Sequence, residues 1–100
     1  MREPDVSSRQ NPRFKAALAL RDTRERRQRG LIIVDGAREI GRALDAGVAL
    51  RETWVATERV RSEASRALLP RLATVAETIE TTPELLARLA YGCLLYTSDA

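Results

Sequence analysis

One hundred residues, 44% hydrophobic and 31% charged, fit one soluble domain, because a chain this short builds a single core. Such a chain buries roughly 60–65% of its unfolded surface, enough to fold without disulfides but not to wall a deep active site as well, which excludes a two-domain enzyme. The net charge of +3 hides an asymmetry: residues 1–30 carry nine Arg or Lys against four acids, or +5, and residues 31–100 carry eight against ten, or −2. A basic arm on a mildly acidic body points to a polyanionic partner.

The single cysteine, Cys93, has no disulfide partner, and a chain without histidine lacks the ligand cluster of a zinc site and the usual general base. Apolar runs such as Ala16–Leu20 and Leu31–Val34 are far shorter than the ~20 residues of a membrane span. The arginine-bearing start has no signal-peptide core. These features predict a cytoplasmic protein with no membrane partner and no metal.

Residues 1–10 show no periodicity and read as a flexible lead-in. Asn11-Pro12 is a helix start, with Asn as the cap and Pro at the first helical position. Phe14, Ala17 and Leu18 follow on one face, and the helix either ends near Asp22-Thr23 or continues to Gly30. Leu31-Ile32-Ile33-Val34 is a buried strand. Ala37, Ile40, Ala43 and Leu44 form the next helical stripe, with Asp35 or Gly36 as cap and Gly47-Val48 as its close. Glu52 to Ala56 is a second strand. Ser62 caps a helix with Ala64, Leu68 and Leu72 on one face, which Pro70 kinks or splits. Thr78–Thr81 is a polar strand for a sheet edge, and Thr82-Pro83-Glu84 opens a last helix with Leu85, Leu86 and Leu89 inward. Strands alternating with helices imply an α/β fold. The expectation is a three-layer α/β/α sandwich on a small, mostly parallel sheet, preceded by a basic N-terminal helix.

Several of these segments, in this order, carry a resemblance. Asn11-Pro12-Arg13-Phe14-Lys15, the arginine cluster, Gly30-Leu-Ile-Ile-Val-Asp-Gly36 with Ala-Arg38-Glu39-Ile, the Trp54-Val55 strand and the Pro-Glu-Leu-Leu-Ala-Arg-Leu helix resemble the N-terminal substrate-binding domain of SpoU/TrmH-type RNA ribose 2′-O-methyltransferases. The similarity runs from about residue 7 to 92. It implies a fold like that of small ribosomal RNA-binding proteins, holding ribosomal RNA or transfer RNA. A C-terminal knotted domain would bind S-adenosylmethionine, transfer the methyl group and form the homodimer. That domain's Asn-x-Gly-x-x-x-Arg motif has no match here, since Asn11 is the one asparagine, so no catalytic or cofactor-binding residue is assigned.

Two positions depart from the family. Asp35 stands where glutamate is commoner and keeps the acid-Gly turn. After Tyr91-Gly92 the chain reads Cys93-Leu-Leu-Tyr-Thr-Ser-Asp-Ala100, which is similar to the read-through tail of a truncated reading frame. The expected organisation is a lead-in at 1–10, an RNA-binding domain at 11–92 and a non-native tail at 93–100, in which neither Cys93 nor Tyr96 is functional.

The candidate RNA-binding residues are Asn11, Arg13, Lys15, Arg21, Arg24, Arg27, Arg29 and Arg38. A guanidinium forks two donors onto one phosphate, and released counterions drive association; the alternative for the cluster is a solvated helix face. Arg13 and Lys15 sit in the first two helical turns, where cations oppose the dipole, which suggests a use beyond helix stability. Asn11 is fully explained as a cap, and Gly36 with Arg38 forms either a phosphate-binding turn or an ordinary one. The absence of interleaved aromatics disfavours base stacking as the main mode and favours phosphate and shape recognition. Other readings are a free-standing ribosome-associated RNA-binding protein and a small protein-interaction domain.

Overall fold

The computed structural model describes residues 3–89 and 93–97. In chain order the elements are α1 (Pro12–Ala19), α2 (Thr23–Arg29), β1 (Leu31–Asp35), α3 (Ala37–Asp45), β2 (Leu50–Val55), a 3-10 turn (Thr57–Arg59), α4 (Glu63–Val75), β3 (Glu77–Glu80), α5 (Pro83–Leu89) and β4 (Cys93–Thr97).

Local chemistry sets most boundaries. The Asn11 side chain accepts the Arg13 N–H at 2.8 Å with Pro12 next, the arrangement that spares a helix its first unpaired donors. The basic stretch does not continue this helix. Asp22 starts a new one by accepting the Arg24 N–H at 2.8 Å, and Gly30 ends it at φ 67°. Ser62 caps α4 through the Ser65 N–H. Pro70 lies inside α4, which runs through it unbroken. Leu68 and Leu72 are buried on that helix, whereas Ala64 is exposed.

The strands form one sheet in the order β1-β4-β2-β3. β2 and β3 pair in parallel, and β4 pairs antiparallel with both β1 and β2. Hence β1, β2 and β3 share one direction, as helical crossovers require, and β4 alone runs against them. β3 is an edge strand, as its polar sequence predicts. The lead-in is pinned to that edge: the Asp5 and Val6 N–H groups donate to the Glu80 carbonyl, Val6 bridges Thr81 and its side chain is buried.

Each sheet face holds its own core. Phe14, Ala17 and Leu20 meet Trp54, Ile79, Leu85, Leu86 and Leu89 on the α1/α5 face, where Phe14 and Trp54 pack edge to face at 6.4 Å between centroids. Ile40, Leu50, Leu68 and Leu72 form the core on the α3/α4 face. Leu50 and Trp54 would share a face in a regular strand. The register instead shifts between Leu50 and Glu52, and an inserted residue turns the following side chains over. The bulge therefore gives Leu50 to α3 and α4, and sends Glu52 and Trp54 together to the α1 face. This also explains why the strand begins two residues before the Glu52 start that its β-forming residues suggest.

Candidate nucleic-acid interface

Helix α2 has no buried residue and only seven positions, so it is too short to hold itself together by backbone bonding. Its arginines tie it to the end of α1 instead. Arg26 donates to the carbonyls of Leu20 and Arg21, both at 3.0 Å, and to the Thr23 hydroxyl. Arg29 donates to the Ala16 carbonyl at 2.7 Å. Arg21 reaches the Arg88 carbonyl at 2.7 Å. Arg26 and Arg29 thus satisfy carbonyls around the negative end of α1, where the dipole favours cations, while Arg21 links the α1–α2 junction to α5.

These contacts divide the cluster. Arg21 and Arg29 are engaged with backbone, whereas Arg24 and Arg27 are exposed and make no hydrogen bond or ion pair to any described residue. Lys15 is likewise exposed and without such a partner, and Asn11 spends its side-chain oxygen on the cap.

Arg13 is held at the amino ends of β2 and β3. Its fork takes Glu77 at 2.9 and 2.8 Å and Glu52 at 2.9 Å. These bonds, to Glu77 first and then Glu52, raise the guanidinium pKa above its ordinary value. The reciprocal bond from Arg13 holds the Glu77 carboxyl below the usual range.

Arg38 lies elsewhere. The α2 helix leads through Gly30 into the start of β1, while Arg38 follows the end of β1 at the second position of α3. Five strand residues at about 3.3 Å each separate the two by roughly 15 Å. The fold therefore brings the α2 cations and Lys15 to one region and does not add Arg38 to it.

Two arginines join these regions that the sequence did not single out. Arg51, the bulged residue of β2, shares an open cleft with Arg29, Leu31 and Glu52 at the amino ends of β1 and β2. Arg59, on the 3-10 turn, lines a second cleft where β1 and β2 end, together with Gly36, Ala37, Thr53 and Ser65. That cleft has a volume of about 120 Å³. Neither arginine has a sequence signal, since bulge and crossovers alone make these neighbours. Among the described residues no group of His, Cys, Asp and Glu could hold a metal ion, and no helix is long and apolar enough to cross a membrane.

No curated protein sequence matches the chain, whereas solved structures do. An RNA 2′-O ribose methyltransferase is 26% identical with a TM-score of 0.79, and 92% of this chain aligns with 36% of that one. The SpoU methyltransferase AviRb from Streptomyces viridochromogenes, solved with AdoMet, is 29% identical with a TM-score of 0.77, over 91% of this chain and 37% of its own. An rRNA methyltransferase from Sinorhizobium meliloti, at 14% identity and a TM-score of 0.74, shares the fold over 93% of this chain and 36% of its own. The chain spans about a third of the length of these proteins. The MRM3-like substrate binding domain profile matches residues 11–92, from the Asn11 cap to Gly92. With four-fifths of its length inside that match, the chain belongs to the MRM3-like substrate binding domain family.

Proposed function

We propose that this domain binds RNA, and that it serves as the substrate-recognition part of an S-adenosylmethionine-dependent ribose 2′-O-methyltransferase acting on ribosomal RNA in the cytoplasm. The observation that carries the reading is the division of the arginines. Arg24 and Arg27 are left uncommitted on a helix that neighbouring arginines hold in place. A short, fixed helix presenting two guanidinium groups, with Lys15 and Arg51 as further cations, suits phosphate contacts spaced along a backbone. Arg21 and Arg29 retain donors beyond their carbonyl bonds and complete the set with Arg38 at the far end.

S-adenosylmethionine does not fit the cleft where β1 and β2 end. A volume of about 120 Å³ approaches the roughly 150 Å³ that takes one benzene-sized ring and is too small for a nucleoside bearing methionine. The cofactor and the homodimer contact are assigned to a further domain of a longer parent protein, and no step of methyl transfer is assigned to residues here.

The test is the salt dependence of RNA binding. Replacing Arg24 and Arg27 together by Ala removes two phosphate contacts, so the slope of log K against log salt falls by about 1.4 on single strands and about 1.8 on duplex. An unchanged slope returns α2 to a solvated face. Competition between ribosomal and transfer RNA at fixed salt tests the substrate class.

A further inference from the structure

The cleft at the amino ends of β1 and β2, at the opposite end of the sheet from the start of α3, holds charged groups that the fold leaves partly unused. It has a volume of about 390 Å³ and is lined by Arg29, Leu31, Arg51 and Glu52. Roughly 150 Å³ takes one benzene-sized ring, so a two-ring base has room here. Arg29 and Arg51 are exposed, and the Glu52 side chain is 25% exposed, so a ligand reaches all three.

Glu52 has an acceptor pattern with a specific complement. Its Oε2 accepts from Arg13 at 2.9 Å and its Oε1 from the Trp54 indole N–H at 3.3 Å. An ionised carboxylate offers about two acceptor sites on each oxygen, so each oxygen keeps one open. Arg29 and Arg51 do not fill them, since among the described residues Arg13 alone forms an ion pair with Glu52. Arg51 makes no hydrogen bond or ion pair to any described residue, and Arg29 uses one nitrogen on the Ala16 carbonyl. The bulge between Leu50 and Glu52 sets Arg51 beside that carboxylate, and bulges re-aim side chains next to binding sites.

Among the four RNA bases, guanine alone presents two parallel donors, N1–H and N2–H, to a carboxylate. Its O6 and N7 are two acceptors that an arginine fork takes. Adenine and cytosine carry one amino donor beside a ring-nitrogen acceptor, and uracil has one N–H between two carbonyls, so each sets an acceptor against Glu52. We propose that this cleft reads one unpaired guanosine of the bound RNA. Glu52 accepts from N1–H and N2–H, the Arg51 fork donates to O6 and N7, and Arg29 holds the adjoining phosphate in line with those on α2. Only an unpaired base has that edge free, the form in which proteins read RNA sequence. The proposal rests on the RNA-binding reading and moves Arg51 from a phosphate contact to a base contact.

Fluorescence anisotropy of the full chain tests it, using short oligouridylates that carry guanosine, inosine or adenosine at the centre, with free guanosine 5′-monophosphate as competitor. The guanosine oligomer should bind about ten-fold more tightly than the all-uridine or adenosine oligomers, within the worth of a bidentate base contact. Inosine, which lacks the N2 amino group, should bind about five-fold less tightly than guanosine. Guanosine monophosphate should compete weakly. Arg51→Ala, an exposed change, should keep the melting temperature and cut the guanosine preference about five-fold. Glu52→Gln sets an amide donor against a guanine donor and should remove the preference. The ratio of guanosine to uridine binding is the quantity read, because any loss of folded protein cancels in it. Equal binding of these two oligomers, or a preference that neither variant moves, overturns the proposal; with the α2 salt slope intact, the RNA reading stands. Guanosine monophosphate bound as tightly as the guanosine oligomer overturns the assignment to RNA and marks a free-nucleotide site. Failure of every oligomer to bind ends the RNA reading and the proposal with it.

Discussion

Arg13 clamps Glu77 with both ends of its fork, at 2.9 and 2.8 Å, and places the same guanidinium on Glu52. Glu52 and Glu77 are direct register partners across the parallel β2/β3 pair. Two carboxylates facing each other across strands repel, and Arg13 converts that repulsion into a bridge between α1 and the sheet. The Trp54 indole N–H, 3.3 Å from the other Glu52 oxygen, extends the bridge into the core. A cation in the first turn of α1 works against the helix dipole, and this internal clamp is the compensating use.

The Arg13→Gln variant should be less stable at neutral pH by a salt-sensitive amount, small because the groups are exposed. The pH dependence has a fixed sign. Glu77 has a lowered pKa in the folded state, so its contribution is present above the ordinary carboxylate value and is lost as pH falls through the lowered one. Arg13 stays charged throughout. Urea denaturation from pH 7 to pH 3 should show wild type and variant separated at the upper end and converging in acid. A gap of constant size across this range would rule out the clamp.

Glu80 is a second buried node. Its carboxylate accepts the Thr57 N–H at 2.8 Å and the Thr57 hydroxyl, and its own N–H donates to Asp5. It thereby fixes both the 3-10 turn that carries Arg59 and the lead-in along the sheet edge. Glu80→Ala gives the exposed Thr57 donors up to water and should cost about 1 kcal/mol in denaturant unfolding. Glu80→Gln keeps one acceptor oxygen and should cost less. Equal losses would mean that the carboxylate does not hold the turn.

Much of this fold is legible because it is local. Asn11-Pro12, Gly30, Gly47 and Ser62 each act within a few residues, so their effects can be read along the chain. The site is less legible because it depends on distant partners. Nothing near Arg26 or Arg29 says that one turns to Leu20 and the other to Ala16, while Arg24 and Arg27 stay free. That division requires α1 and α2 to meet end to end. Arg13 reads along the chain as an RNA ligand, and nothing near it shows the two glutamates that β2 and β3 bring to it. The Arg51 bulge is equally hidden, since it is a property of register with β4 and not of the residues around it.

The division of the arginines predicts opposite behaviour from adjacent substitutions. Arg26→Ala removes three donated bonds, two of them to carbonyls at the end of α1, and should cost about 1–2 kcal/mol of stability. The salt slope of RNA binding should not change. Arg24→Ala with Arg27→Ala should lower the slope with stability held within about 0.5 kcal/mol, as for other surface changes. Thermal melts and salt titrations on the same two proteins check both halves. If Arg26→Ala lowers the slope as much as the double variant, the cluster binds as an undivided charge and the assignment of roles fails.

The proposal that residues 93–100 are foreign to the domain meets a specific structural demand. Cys93–Thr97 supplies β4, which pairs with β1 on one side and β2 on the other. Without it, β1 has no strand partner among the described residues and the sheet is cut in two. The position asks only for an extended backbone and residues tolerated in a strand, and a run with two leucines and a tyrosine meets it whatever its origin. Deletion from Cys93 onward should therefore abolish cooperative melting, because the loss of two ladders exceeds the roughly 5–15 kcal/mol that holds a domain of this size. Leu94→Pro should do the same, by removing a ladder donor at the centre of the sheet. The decisive variant is the triple substitution Leu94→Val, Leu95→Ile and Tyr96→Val. If the segment is foreign, its side chains were never fitted to this core, and the triple variant should melt within about 1 kcal/mol of the parent. A loss above about 2 kcal/mol, in the range of fitted core side chains, would instead mark the segment as native to the fold.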